Sequence, residues 1–314
     1  MAAVVSPTTN DPLIHWAIYY NNADDYLGQV VPFLEGALAA GEPALVFAPG
    51  RNIDLLRAAL TDPAGEIVFL HAADLASNPA RIIPTARQFA DAHPGRRIRI
   101  VGEPIWPGRS AAEIREGIRH EALVNVLFAD VAATVLCPYD TAGLDEATIG
   151  HAGSTHPHEL CDGQYRASAL FVDPVAVLSK SQQLPAAPDR CETTSFKVGE
   201  LATLRGIVRN HARRASMNAD RVQDLVIAVN EAATNSLSHS NAGGTLRIWQ
   251  DTDDFVCEVS DRGYMVSDHV AGRLAPRADA PRGRGLWIIN QLCDLVELRS
   301  STSGTIVRMH IRLG

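Results

Sequence analysis

From His15 to Cys137 strand-like and helix-like runs alternate, and that alternation most limits the folds open to this chain. The strand-like runs are His15–Tyr20, Ala44–Ala48, Ile67–His71, Arg97–Val101 and Val131–Cys137. Between them lie runs with helical spacing, Tyr26–Ala40, Asn52–Leu60, Ala80–Ala92 and Ala111–Ala129. Such an order predicts an α/β domain, a parallel sheet covered by helices with right-handed crossovers. The pattern then breaks at Ser181–Asp189, a polar, proline-bearing stretch that reads as a linker. Beyond it the order predicts two helices (199–215 and 219–239), two strands (245–250 and 255–260), a long loop, a helix from Leu286 to Val296 and a last strand. That is an α+β sandwich with one face of its sheet covered. At 314 residues the chain has room for two cores. The expected division is residues 1–180, a linker at 181–191 and residues 192–314.

Three motifs in the second region carry chemistry. In Asn230-Glu231-Ala-Ala-Thr-Asn235, the apolar positions Leu225, Ala228, Val229, Ala232 and Leu237 recur at helix spacing. Glu231 and Asn235, four residues apart, then share one helix face. Their oxygens suit Mg²⁺, and the carboxylate could orient an attacking hydroxyl. Asp261-Arg-Gly263 ends a strand with an acidic acceptor and a glycine. Arg282-Gly283-Arg284-Gly285-Leu286 sets arginines and glycines before a helix, where free N–H groups hold phosphates.

The order of these motifs resembles the N, G1 and G2 boxes of the GHKL (Bergerat-fold) ATPases, and within them the anti-sigma factor/serine-protein kinases. The phrase Val229–His239 is similar to that family's ATP-site helix, and Gly304-Thr305-Ile-Val-Arg-Met-His310 to its final strand. The resemblance covers about residues 192–314. It implies Asn235 as the Mg²⁺ ligand and Glu231 as the catalytic base. Asp261 would accept the adenine amino group, and Gly263 would let the backbone pass the base. Arg282, Gly283, Arg284, Gly285 and Leu286 would cradle the phosphates at a mobile lid, and Thr305 would bond near the site. ATP and Mg²⁺ are the implied cofactors. The implied partners are a sigma factor and/or an anti-anti-sigma (STAS) protein, with a homodimer left open. One position departs from the family. The G1 box usually reads Asp-x-Gly-x-Gly, whereas here Met265 follows Asp261-Arg-Gly263-Tyr264, placing a bulky side chain where a hinge glycine is expected beside the nucleotide.

Two other functions share these motifs. A sensor histidine kinase needs a phospho-accepting histidine in an acidic context, and the helix carrying Arg209-Asn-His211-Ala-Arg-Arg214 is basic. A non-catalytic trap for a sigma factor or anti-anti-sigma protein is the other.

The first half resembles the MEDS (DcmR-type) sensory domain over about residues 11–175. The carrying residues are His15 with Tyr19-Tyr20, Pro32–Glu42, Gly102-Glu103, Cys137-Pro-Tyr-Asp140 and His156-Pro157. The resemblance implies a RecA-like sheet and a sensor for an unidentified ligand. No GxxxxGK[ST] motif supports a Walker-type nucleotide site. In an open α/β sheet ligands favour the C-terminal strand ends, where Gly102–Glu103 and Cys137–Asp140 are expected. His151, His156, His158 and Cys161 place metal donors together, but the spacing fits no common zinc pattern and no second ligand cluster pairs with it. The sequence therefore reads them as a histidine-rich surface loop, and Cys137 as a buried strand-end thiol.

The net charge of −8 argues against direct nucleic-acid binding. No apolar run approaches the roughly 20 residues of a spanning helix, so no membrane partner is expected. The N-terminus lacks a basic or hydrophobic leader pattern. The five cysteines (137, 161, 191, 257, 293) are scattered without CxxC spacing, which suits reduced thiols in a cytoplasm.

Overall fold

The structure, a computed structural model, describes residues 12–61, 65–75, 77–161, 164–180, 183–240, 243–276 and 283–313. The chain divides into two compact units, Met1–Ser179 and Lys180–Gly314.

In the first unit, β1 (Leu13–Tyr20), α1 (Ala23–Ala40), β2 (Ala44–Ala48), α2 (Gly50–Ala59) and β3 (Ile67–His71) follow one another. Next come α3 (Ala72–Leu75), a 3-10 turn (Pro79–Arg81), α4 (Ile82–Asp91), β4 (Ile98–Gly102), α5 (Ala111–Leu127) and β5 (Ala133–Asp140). The unit closes with α6 (Glu146–Thr155), β6 (His158–Cys161), β7 (Gln164–Ala167) and α7 (Pro174–Lys180). The sheet runs β3-β2-β4-β5-β1-β6-β7. All its pairs are parallel except β6–β7. β5 is buried at all eight positions, as a strand covered on both faces must be. Local chemistry sets the helix ends. Asn22 Oδ1 accepts from Asp25 N (3.0 Å) to start α1, and Gly41 ends it in the left-handed region at φ 63°. Ser110 and Glu113 form a reciprocal capping box on α5.

The second unit is β8 (Glu192–Phe196), α8 (Leu201–Arg214), α9 (Ala219–His239), β9 (Gly244–Gln250), β10 (Asp254–Asp261), α10 (Gly285–Leu292), β11 (Leu295–Ser301) and β12 (Gly304–Arg312). Its antiparallel sheet runs β11-β12-β10-β9-β8. Phe255, Cys257, Val259, Met309 and Ile311 share one buried cluster with Leu204, Val208, Leu225, Val229 and Ile289 of the helices. Glu258 alternates to the opposite face, where its carboxylate accepts from Arg308 (2.7 and 3.0 Å) and Arg247 (2.9 Å).

The expected α/β and α+β classes are the ones observed, with three corrections of detail. The helix expected to reach Val296 stops at Leu292, where Arg221 donates to the Leu292 carbonyl (2.9 Å) and pairs with Asp294. Val296 instead belongs to β11, which pairs with β12, so among the described residues this sheet has five strands. The apolar positions Leu292, Leu295, Val296 and Leu298 fit either periodicity, and pairing with β12 decides it. The short strands β6, β7 and β8 carry too little apolar alternation to be read locally. Finally, the histidines 151–158 are not one surface loop. His151 is exposed on α6, His158 lies in β6, and His156 is fully buried beside His15. The side chain of Cys161 lies outside the described residues.

Candidate nucleotide site

α9 begins at Asn218, whose side chain accepts from Arg221 N (2.9 Å). Its apolar stripe is buried, which leaves Glu231 and Asn235 half-buried on the flank facing α10. Gly285, the first residue of α10, sits directly against them. A Cβ built there would lie 3.1 Å from Glu231 Oε2 and 3.1 Å from Asn235 Nδ2. Two motifs some fifty residues apart in sequence therefore meet with room for little besides a glycine. Asn230, beside Glu231, accepts from Arg205 of α8 (2.8 Å), fixing that turn.

Asp261 closes β10, and its Oδ1 accepts from Gly263 N at 2.6 Å. A Cβ on Gly263 would come within 3.0 Å of the His239 carbonyl at the end of α9, so glycine brings this turn against the helix. Thr305, paired with Asp261 across β10 and β12, donates to the Gly263 carbonyl (2.9 Å) and bonds Ser300 (2.7 Å). Asp261, Gly263 and Thr305 thus form one hydrogen-bonded group, while Glu231, Asn235 and Gly285 meet by close approach. Leu286 is partly buried against the core. Gly283 takes φ 91°, in the left-handed region, and Gly283 and Arg284 are exposed just before α10. Arg282 and part of the Val270–Pro281 loop lie outside the described residues.

Met265 stands where a hinge glycine is expected. Its side chain packs against the core of the domain, and its N–H donates to Ser300 Oγ (2.8 Å). Its neighbours Tyr264 and Val266 are exposed instead. The residue in the hinge position is therefore an anchor for the segment after β10.

The first unit holds a second polar group at its C-terminal strand ends. Glu103, fully buried after β4, accepts from Tyr20 (2.6 Å) and from Asn52 (2.9 and 3.1 Å). Burial pushes its carboxyl up to about 7. Tyr20, Arg51, Asn52 and Asp140 line an open groove there. Cys137 does not face it. It lies among His15, Glu121 and His156 on one side of the sheet. Glu121 was not singled out from the sequence, although its position is informative: Gly117, Glu121, Val124 and Phe128 share one helical stripe, so a carboxylate interrupts a buried face.

Residues 14–157 match the family model of the MEthanogen/methylotroph, DcmR Sensory domain (MEDS). Residues 194–311 match that of the histidine kinase-like ATPase domain. No curated protein matches the chain. Among solved structures, the chain is similar to the RsbU and RsbW domains of Rv1364c from Mycobacterium tuberculosis, at 18% identity and a TM-score of 0.31. That match covers 40% of this chain and 33% of that one, so the chain spans only a third of that relative's length. It is also similar to the SiaB-SiaC complex from Pseudomonas aeruginosa, at 14% identity and a TM-score of 0.31, over 44% of this chain and 96% of that one. Both superpositions are partial, and the assignment rests on the two family matches. The chain joins a domain of the MEDS family to a domain of the histidine kinase-like ATPase family.

Proposed function

We propose that residues 192–314 bind Mg-ATP in the manner of an anti-sigma factor and phosphorylate a serine or threonine of an anti-anti-sigma partner. Residues 1–180 would bias that activity through a sensed ligand, relayed along 181–191. The observation that carries this reading is the meeting of Gly285 with Glu231 and Asn235. Phosphates held at the N–H groups of Gly283, Arg284 and Gly285 would lie beside a carboxylate and a carboxamide. These oxygens fit Mg²⁺, which when bound would offset phosphate charge, with Asn235 as its ligand. Glu231 would take the proton of the attacking hydroxyl. The serine oxygen then bonds the γ-phosphorus while the bond to the β-bridging oxygen breaks and ADP leaves. Asp261 and Gly263, pinned by Thr305, would hold the adenine. Arg282 and Arg284 would offset charge at the lid. The polar groove lined by Tyr20, Arg51, Asn52 and Asp140, at the C-terminal strand ends, would seat the sensed ligand.

A non-catalytic trap is favoured by one observation, the anchoring of Met265 to the core and to Ser300. The histidine-kinase reading gains nothing from His211, which pairs with Glu192 of β8 in the same unit (2.9 Å). Transfer of labelled γ-phosphate to a serine-bearing anti-anti-sigma protein tests the proposal. Mg-ATP binding without transfer would leave the trap, and label on His211 would favour the histidine kinase.

A further inference from the structure

Four polar side chains from four separate elements converge inside the first unit: His15 from β1, Glu121 from α5, Cys137 from β5 and His156 at the end of α6. All four are buried, and their donor atoms lie within 4.8 Å of one another. His15 Nε2 is 3.3 Å from Cys137 Sγ and 3.3 Å from Glu121 Oε2. Glu121 Oε2 is in turn 3.5 Å from Cys137 Sγ and 3.5 Å from His156 Nε2. A tetrahedral ion with bonds of about 2.0–2.3 Å needs ligand separations of roughly 3.3–3.8 Å. The four separations just given fall in that range, and the remaining two lie within 4.8 Å.

The surroundings fix which atoms face inward. His15 Nδ1 meets Asn125 Oδ1 at 3.1 Å. The Asn125 amide cannot turn, because its Nδ2 donates to the carbonyls of Glu121 (3.2 Å) and Thr155 (2.8 Å). His15 Nδ1 is therefore the donor. His156 Nδ1 donates to the Ala152 carbonyl at 2.8 Å. When both rings are neutral they present bare Nε2 lone pairs toward the carboxylate, and His156 Nε2, in a fully buried ring, makes no hydrogen bond. Two imidazole lone pairs, a carboxylate and a thiol thus point at one another with a single thiol proton to share. Converging acceptors of that kind, each oriented by a fixed outer hydrogen bond, are how proteins hold a cation.

We propose that His15, Glu121, Cys137 and His156 bind one zinc-type divalent cation, with Cys137 as thiolate, in a closed tetrahedral N₂SO site. The thiol proton leaves to solvent as the ion enters. The site fastens β1, β5, α5 and the α6–β6 junction together. Four protein ligands leave no open position, so its role is to hold the sensory domain together.

The test uses the full chain purified from zinc-supplemented defined medium. Elemental analysis should find one zinc per chain that survives gel filtration. The cobalt-loaded chain should show tetrahedral ligand-field bands and a thiolate-to-cobalt charge-transfer band. Cys137→Ser should lose that charge-transfer band. Asn125→Ala, which removes no ligand, should weaken cobalt affinity roughly 10- to 100-fold by freeing the His15 ring. X-ray absorption of the zinc-loaded wild type, which needs no variant to fold, should show a sulfur, two imidazoles and an oxygen. Absence of stoichiometric metal, a sulfur-free shell, or a charge-transfer band that persists in folded Cys137→Ser would overturn the site.

Discussion

Gly285→Ala separates the nucleotide site from the fold. Gly285 opens α10, where alanine is the better helix former by about 0.8–1.0 kcal/mol in a helix interior. Only part of that gain applies at the first position. The added methyl would crowd Glu231 Oε2 and Asn235 Nδ2, both 3.1 Å away, and a side-chain tip can yield a few tenths of an ångström. Folding stability should therefore change by less than about 1 kcal/mol, a shift of a few degrees in Tm. A nucleotide has no such latitude, because the methyl occupies the gap between the α10 N-terminus and the two polar side chains. Displacing one hydrogen bond to a charged group costs about 1.5–3 kcal/mol. That corresponds to a rise of roughly 10- to 150-fold in the Kd for Mg-ATP. Isothermal titration of parent and variant, paired with calorimetric unfolding, reads both quantities. If the variant bound Mg-ATP within about twofold of the parent, Gly285 would not border the phosphates. Affinity lost together with a Tm drop of ten degrees or more would trace the effect to the fold instead.

Glu231→Ala should abolish phosphate transfer while binding Mg-ATP within about threefold of the parent, since it removes a proton acceptor and no phosphate donor. Asn235→Ala should weaken Mg-ATP binding about tenfold or more, and equal behaviour of the two variants would reject these roles. Met265→Gly strips a partly buried side chain from the core and should cost about 2 kcal/mol in urea unfolding. The same change should speed release of a fluorescent nucleotide, and an unchanged release rate would show that Met265 does not restrain the lid. Glu103 adds a pH dependence to the first unit. Burial raises its carboxyl from 4.5 to about 7, so the native state keeps a proton that the unfolded chain gives up. Its stabilising contribution is full below pH 4.5 and falls away as pH rises to about 7. At ~1.36 kcal/mol per pH unit over that interval the loss is at most about 3 to 4 kcal/mol. Glu103→Gln should flatten this part of the stability–pH curve, and an unaltered slope would place the dependence elsewhere.

The sequence by itself determined most of the architecture and the order of the motifs. Strand runs such as Ala44–Ala48 and helix runs such as 219–239 were legible because burying one face imposes a period of 2 or 3.6 on the residues themselves. The pairing of Glu231 with Asn235 was legible for the same reason, as four residues of helix put both on one flank. Only tertiary structure decided the rest. Leu295–Ser301 became a strand because β12 was there to pair with it, and the hinge-position Met265 became an anchor because the core and Ser300 lie beneath it. The meeting of Gly285 with Glu231 likewise depends on how α10 returns to α9 after a long loop. The set His15, Glu121, Cys137 and His156 is the clearest case. Its members are up to 141 residues apart (156 − 15), so no local periodicity links them. They meet because β1 and β5 lie side by side in parallel, which puts His15 and Cys137 on one face, and because α5 and the end of α6 close over that face. Short-range spacing is written in the chain, whereas long-range convergence exists only once the sheet has formed.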